Sequence, residues 1–420
     1  MRLGVIADDF TGATDIASFL VQNGMSTVQV NGVPKDARQL DAEAIVVSLK
    51  SRSCAAEDAV RDALAALTWL QQQGCERFYF KYCSTFDSTA KGNIGPVTDA
   101  LLAALGETQT VISPALPVNG RTVYQGHLFV MNQLLSDSGM RHHPVTPMTD
   151  SNLLRLMEAQ ATGRAGLIAS QVLDRGADAV RNELAALATD GVRYAVLDAL
   201  NEQHLLTQGE ALREMKLVTG GSGLAIGLAR QWAIDGWDPE QAQAAGQPQG
   251  GRAVVIAGSC STMTLRQVAC YRQQAPAQAV DVERAIQQRD AYAHELCDWV
   301  VQHASDALAP MLFATSEPET LQRIQQQYGA QQSSEAVEQL FASVVRELHQ
   351  RGWQRFIVAG GETSGVVAQT LKIDAFHIGP VISPGVPWVK SVTQPVSLAL
   401  KSGNFGDENF FARAQTEFAV

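Results

Sequence analysis

The sequence predicts an α/β protein of two αβ domains around a cleft, the N-terminal one built on a doubly wound, mostly parallel sheet. Three observations predict it. Short apolar runs alternate with stretches of helical periodicity from the first residues onward. The stretch 235–251, containing Pro239 and Pro248 among Gln, Ala and Gly, breaks that alternation and reads as a linker. The alternation then restarts at Arg252 with loops of a different chemical character. The expected division is therefore 1–234, a linker at 235–251, and a second α/β domain at 252–420.

The chain opens with the apolar run 3–7, too short for a lone helix but suited to a buried parallel strand. It stops at Asp8 and Asp9, turns through Thr11 and Gly12, and enters a helical pattern at 13–24. In open α/β sheets ligands bind outside the carboxyl ends of the strands, where these two carboxylates would project. A single Asp there would serve as an ordinary helix N-cap; two in a row followed by Thr-Gly point to chemistry. Strand-like runs recur at 27–30, 44–48, 77–81 and 110–113, with helical patterns at 57–72 and 95–105. The series continues through 166–169, 179–188, 194–197 and 202–215. Residues 219–223 read as a glycine-rich loop ahead of an apolar helix at 224–232. Beyond the linker, the strand 253–257 ends in Gly-Ser-Cys-Ser and leads into a helix at 262–274. Strands at 311–314 and 355–359 flank a long amphipathic helix at 334–351. The Pro- and Val-rich stretch 378–401 reads as shorter, partly antiparallel strands, and 404–414 as a turn and a helix.

Charge narrows the partners. With 32 Lys and Arg against 43 Asp and Glu, the formal charge of −11 disfavours nucleic acid or an anionic membrane surface. No stretch is long and apolar enough to span a bilayer, and Asp8 and Asp9 interrupt what would have to be a signal peptide. The six cysteines are scattered, as expected of small buried hydrophobes in a reducing cytoplasm. Nothing in the sequence decides between a monomer and a homo-oligomer. A small anionic substrate remains, provided that cations cluster locally.

They do. Residues 81–95 read KYCSTFDSTAKGNIG, bringing Lys81, Lys91, Asp87, the hydroxyls of Ser84, Thr85, Ser88 and Thr89, and glycine amides at a helix start. Arg52 follows the strand at 44–48, and Arg121 follows the strand at 110–113. Either can grip a carboxylate bidentately, while lysines act as point charges. His127 falls in the same region. In the second half, AGGETSG at 359–365, GSCS at 258–261 and KSGNFG at 401–406 each follow a strand. Three such loops in one domain are best explained by one nucleotide lying across them, which makes this an α/β nucleotide-binding domain. The Gly-Lys-Ser/Thr ending of a P-loop is absent, and the glycines at 220–223 miss the dinucleotide fingerprint. That last loop reads as a wall of the cleft.

VIADDFTGATDIA at 5–17, CSTFDSTAKGNIG at 83–95, GGETSG at 360–365 and KSGNFG at 401–406 together resemble the four-carbon acid sugar kinase family, across nearly the whole chain. Phe10 and the segment QVNGVP at 29–34 look closest to the branch acting on 3-oxo-tetronate, rather than on threonate or erythronate. The resemblance implies an acid-sugar site in the first domain and an ATP site in the second. ATP contacts then fall to Ser259, Gly360, Gly361, Glu362, Thr363, Ser364, Gly403 and Asn404. It further implies transfer of the γ-phosphoryl group to the O4 hydroxyl, with Mg²⁺ bridging the phosphates and its protein ligands unassigned. Asp9, or else Asp8 or Asp87, would accept the hydroxyl proton; Arg52, Lys81, Ser88, Lys91, Arg121 and His127 would hold the substrate. Closure about 235–251 would exclude water. An NAD-dependent acid-sugar dehydrogenase lacks its fingerprint here, and a non-catalytic acid-sugar sensor leaves the glycine loops of the second half without a purpose.

Overall fold

The computed structural model describes residues 2–36, 38–234, 236–305, 307–314 and 318–418. Its contacts divide the chain into two units, Met1–Gln243 and Ala244–Val420. The division falls inside the stretch 235–251, whose first residue, Asp235, lies outside the described residues. That stretch is more ordered than its composition suggests. Pro239–Gln243 is a short helix with Ala242 buried, and the Asp238 carboxylate accepts from Gln241 N at 3.1 Å. Pro239 at the first helical position has the φ that a helix start needs, a signal too local to show as periodicity.

The first unit carries β1 (Leu3–Ala7), β2 (Thr27–Asn31), β3 (Ala44–Ser48), β4 (Arg77–Lys81) and β5 (Thr110–Ser113). It continues with β6 (Arg121–Tyr124), β7 (His127–Val130), β8 (Gln133–Leu134), β9 (Arg164–Ile168), β10 (Val192–Leu197) and β11 (Leu217–Gly220). Its main sheet runs β2-β3-β1-β4-β11-β5-β10-β9, and every neighbouring pair is parallel. β1 and β3 are buried at every position, which is why they read as continuous apolar runs rather than alternating ones. From β1 the chain builds one side of the sheet, through β2 and β3; from β4 onward it builds the other. The reversal lies between β1 and β4, the position at which α/β sheets open a crevice beyond their carboxyl ends.

Two departures from the sequence reading concern the strands of this unit. Residues 217–220 are a strand inserted between β4 and β5, where a loop was expected to begin at 219. Gly220 makes this insertion fit, since a Cβ there would lie 2.2 Å from Ser113 O. A separate antiparallel sheet, β6-β7-β8, was not anticipated either. Its β6–β7 turn is Gln125-Gly126, both with positive φ (51° and 73°), the twist that a two-residue hairpin requires.

The second unit carries β12 (Ala253–Ala257), β13 (Ala277–Ala279), β14 (Met311–Phe313), β15 (Arg355–Ala359), β16 (Ala375–Ser383), β17 (Val386–Ser391) and β18 (Ser397–Lys401). The order is β13-β14-β12-β15-β18-β17-β16. The run from β13 to β18 is parallel, and β17 is antiparallel to both β18 and β16. The core on one side of this sheet joins Val255, Met311, Ile357 and Trp388 to Tyr271, Phe410 and Phe411. Both units are thus α/β, the first almost wholly parallel as expected. No helix among the described residues is long and apolar enough to cross a membrane.

Candidate functional site

At the carboxyl ends of β1 and β4, Asp8 is 3 % exposed and its carboxylate receives the Arg52 guanidinium bidentately, with Nε–Oδ2 3.0 Å and Nη2–Oδ1 2.8 Å. The backbone enforces the encounter, because Ser51 N and Arg52 N both donate to Asp8 O, at 2.9 and 3.2 Å. Asn93 braces the same loop through Nδ2, which donates to Ser51 O at 2.6 Å. Burial works against the Arg52 charge, but the charge and hydrogen bonds of Asp8 outweigh it and the guanidinium stays firmly protonated. Burial likewise raises the Asp8 carboxyl, opposed by Arg52. With both oxygens occupied by a fixed cation, the ionised pair is the form that this geometry holds.

Asp9 caps the helix Phe10–Gln22: its Oδ1 accepts from Gly12 N at 2.8 Å and from Arg52 Nη2 at 2.9 Å. Its Oδ2 has no hydrogen-bond partner among the described residues, and the side chain is 30 % exposed. Lys81 is 2 % exposed, and among the described residues its ammonium makes one hydrogen bond, to Tyr82 O at 2.7 Å, leaving two of its donors unused there. Gly12 closes the group. A Cβ there would lie 2.5 Å from Asp9 Oδ1 and 2.9 Å from Lys81 Nζ, so only glycine lets the carboxylate, the cation and the helix start converge.

Asp15, on the next turn of that helix, was not singled out by sequence. Its carboxylate accepts a short hydrogen bond from Ser222 Oγ and lies within electrostatic range of Lys81. Burial raises it, with Lys81 and Ser222 opposing. The 220–223 loop, read as a cleft wall, therefore anchors this acid.

The remaining candidates of the first half are more dispersed. Asp87 accepts from Thr85 Oγ1 at 2.6 Å, in a loop where Phe86 adopts φ 49°. Cys83 sits between them and Arg52, and burial pushes its thiol up to about 12, which keeps it unreactive. The Ser88 hydroxyl is committed to Gln160 Oε1 at 2.7 Å, and the same oxygen accepts from Gly95 N at 2.9 Å. The anion site expected at that helix start is thus partly filled by the protein's own amide, from a residue 72 positions away that no local pattern could reveal. Lys91 is exposed. Arg121 and His127 stand on β6 and β7, donating to Asn119 O at 2.5 Å and pairing with Gln125 O at 2.9 Å respectively. Those bonds place them in the small sheet rather than in the Asp8–Arg52–Lys81 group.

In the second unit β12, β15 and β18 lie side by side, so their carboxyl-end loops are adjacent. A Cβ on Gly258 would lie 2.1 Å from Thr363 Oγ1, and one on Gly403 would lie 2.5 Å from Ser259 Oγ. The helix Gly361–Thr370 starts directly after β15, with Gly360 at φ 123°. Its first amides have no intrahelical acceptor, and Ser364 Oγ is buried without a partner among the described residues. This is a cradle of glycines, amides and hydroxyls suited to phosphate oxygens. Glu362 contributes backbone only, since its carboxylate meets Ser334 Oγ at 3.5 Å and faces Glu338, whose carboxyl is raised by burial and by this neighbour. Asn404 Oδ1 lies 3.5 Å from Met263 N. Ser259, residues 360–364, Gly403 and Asn404 are thus gathered on one edge.

Comparison with known proteins places both halves. A family model described as a sugar-binding N-terminal domain matches residues 3–228, and one described as a nucleotide-binding C-terminal domain matches 254–411. The chain is 70% identical over 423 residues to a 3-oxo-tetronate kinase of Pectobacterium atrosepticum, covering 100% of both chains. It is 64% identical over 422 residues to a 3-oxo-tetronate kinase of Salmonella typhimurium, again covering 100% of both. A crystal structure of a Haemophilus influenzae protein, 53% identical, superposes with a TM-score of 0.92 over 99% of this chain and 100% of that one.

Proposed function

We propose that this chain, which belongs to the four-carbon acid sugar kinase family, transfers the γ-phosphoryl group of ATP to the O4 hydroxyl of 3-oxo-tetronate. The observation that carries this reading is full-length identity of 64–70% to two 3-oxo-tetronate kinases. The neighbouring cations Arg52 and Lys81 of the first unit and the glycine cradle of the second support it independently.

Lys81, with two unused ammonium donors, and the exposed part of Arg52 bind the substrate carboxylate. Asp8 holds Arg52 in place and takes no proton, because both of its oxygens are occupied. Asp9 is the general base: Oδ1 is fixed by the helix cap, and Oδ2 receives the O4 proton as the O4–phosphorus bond forms and the bond to ADP breaks. The loops after β12, β15 and β18 bind the phosphates, and Ser364 Oγ finds there the partner it otherwise lacks. Mg²⁺, carried by the nucleotide, would supply further positive charge against those phosphates. Cytoplasmic ATP is the donor, and no residue role requires a second copy of the chain.

Coupled detection of ADP release tests the assignment. Turnover should be fastest with 3-oxo-tetronate, slower with threonate and erythronate, and at background without acceptor. Faster turnover of threonate or erythronate would move the substrate assignment to another branch of the family. Gly12→Ala pushes a methyl group against Asp9 and Lys81, so the acid-sugar KM should rise about ten- to a hundredfold while the ATP KM holds. A KM change shared by both substrates would contradict separate half-sites.

A further inference from the structure

Lys401 ends β18 only 1 % exposed, yet it has no carboxylate partner among the described residues. Its ammonium donates to Gly403 O at 2.8 Å, Ser402 O at 3.1 Å and Thr264 Oγ1 at 3.1 Å. The Thr264 hydroxyl in turn donates to Gly403 O at 2.8 Å. Two successive carbonyls are therefore drawn inward. In a trans peptide the N–H points opposite to the C=O, so the amides of Gly403 and Asn404 are turned outward. Neither of these amides donates to another group among the described residues. Gly403 packs against Ser259 and Ser261, so this outward face belongs to the glycine cradle.

The charged and titratable groups on the elements around Lys401 lie elsewhere. Arg355 on β15 and Lys390 on β17 are in register with Ser397, at the far end of β18, and the Arg355 guanidinium lies over the Trp388 ring. On the helix Thr262–Tyr271, Arg266 faces Glu408, Cys270 bonds to Asn409 and Tyr271 donates to Ala309 O. Glu362 faces Ser334 and Glu338. Burial, with no counter-charge among the described residues, pushes the Lys401 ammonium down to about 7.

We propose that Lys401 is a positioning residue of the nucleotide site: it turns the Gly403 and Asn404 amides toward the phosphates and takes up a proton when they bind. The proposal rests on the kinase reading above. A polyphosphate supplies the negative charge that the protein withholds, so bound nucleotide favours the ammonium, and the ammonium in turn fixes the amides that hold the nucleotide.

Calorimetric titration of the full chain with ADP and Mg²⁺ at pH 8, in buffers of differing ionisation enthalpy, tests it. The wild type should take up about one proton per nucleotide, and the uptake should shrink as the pH falls through 7. Lys401→Arg, permanently charged, should bind ADP with no uptake, whereas Lys401→Met should lose uptake and bind about ten- to a hundredfold more weakly. Binding of 3-oxo-tetronate should be unchanged in both. If a variant fails to fold, the wild type alone decides: nucleotide binding without proton uptake at pH 8 overturns the proposal, as does unchanged uptake in Lys401→Arg. Absence of nucleotide binding by the wild type would overturn the kinase reading itself.

Discussion

Arg52→Met should abolish measurable turnover and destabilise the protein by about 3–5 kcal/mol, because it leaves the Asp8 carboxylate buried and unpaired. The pair is partly open on the Arg52 side, 25 % exposed against 5 % for the Asp8 side chain, which favours the lower end of that range. The sign of the pH dependence distinguishes this from simple loss of packing. Without Arg52, burial and the neighbouring Asp9 act on Asp8 against Lys81 alone, and its folded-state pKa rises further above the unfolded value. Between the unfolded and the folded value the native state then binds more protons than the unfolded chain, so stability falls as the pH rises through that window. Urea unfolding should find the variant's deficit larger at pH 8 than at pH 5. Adding Asp8→Asn should recover much of the stability without recovering activity. A deficit that is the same at both pH values would mean that Asp8 is not the group left exposed to desolvation.

Asp9→Asn should lower kcat by about 10²–10⁴-fold while leaving the acid-sugar KM nearly unchanged. Asparagine keeps an oxygen that can cap Gly12 N and accept from Arg52 Nη2, so the helix start should hold within about 1 kcal/mol. What it loses is the proton acceptor at Oδ2. Normal turnover with intact binding would remove Asp9 as the base and turn attention to Asp15, a carboxylate within range of Lys81 that no guanidinium occupies among the described residues.

Where one strand, one turn and one helix carried a signal, the sequence was readable. β1 and the helix Phe10–Gln22 follow from five buried residues, a capping Asp and helical spacing, and Asp8, Asp9 and Lys81 fall where strand ends must lie. The three loops of the second unit were legible for the same reason, since each glycine cluster directly follows an apolar strand. What escaped depends on contacts far apart in sequence. Gln160 fills the helix start at Gly95, Ser222 reaches Asp15 from 207 positions away, and Asn93 grips the Ser51 carbonyl. β6 and β7 were missed because four residues give too short an alternation to stand out, and each strand buries a single side chain, Val123 and Leu128. β11 was missed because its Thr-Gly end resembles a turn, although Gly220 serves close strand packing. Lys401 was visible as part of a motif, but only the fold shows that it is buried without a counter-charge.

A 3-oxo-tetronate kinase must use its acid-sugar site and its nucleotide site in a single phosphoryl transfer at O4. Phosphorus NMR of the protein with ATP, Mg²⁺ and 3-oxo-tetronate tests it most directly. The expected result is a phosphomonoester signal coupled to a methylene group, growing in step with ADP. ADP formed with inorganic phosphate alone, or a phosphomonoester coupled to a methine, would contradict it.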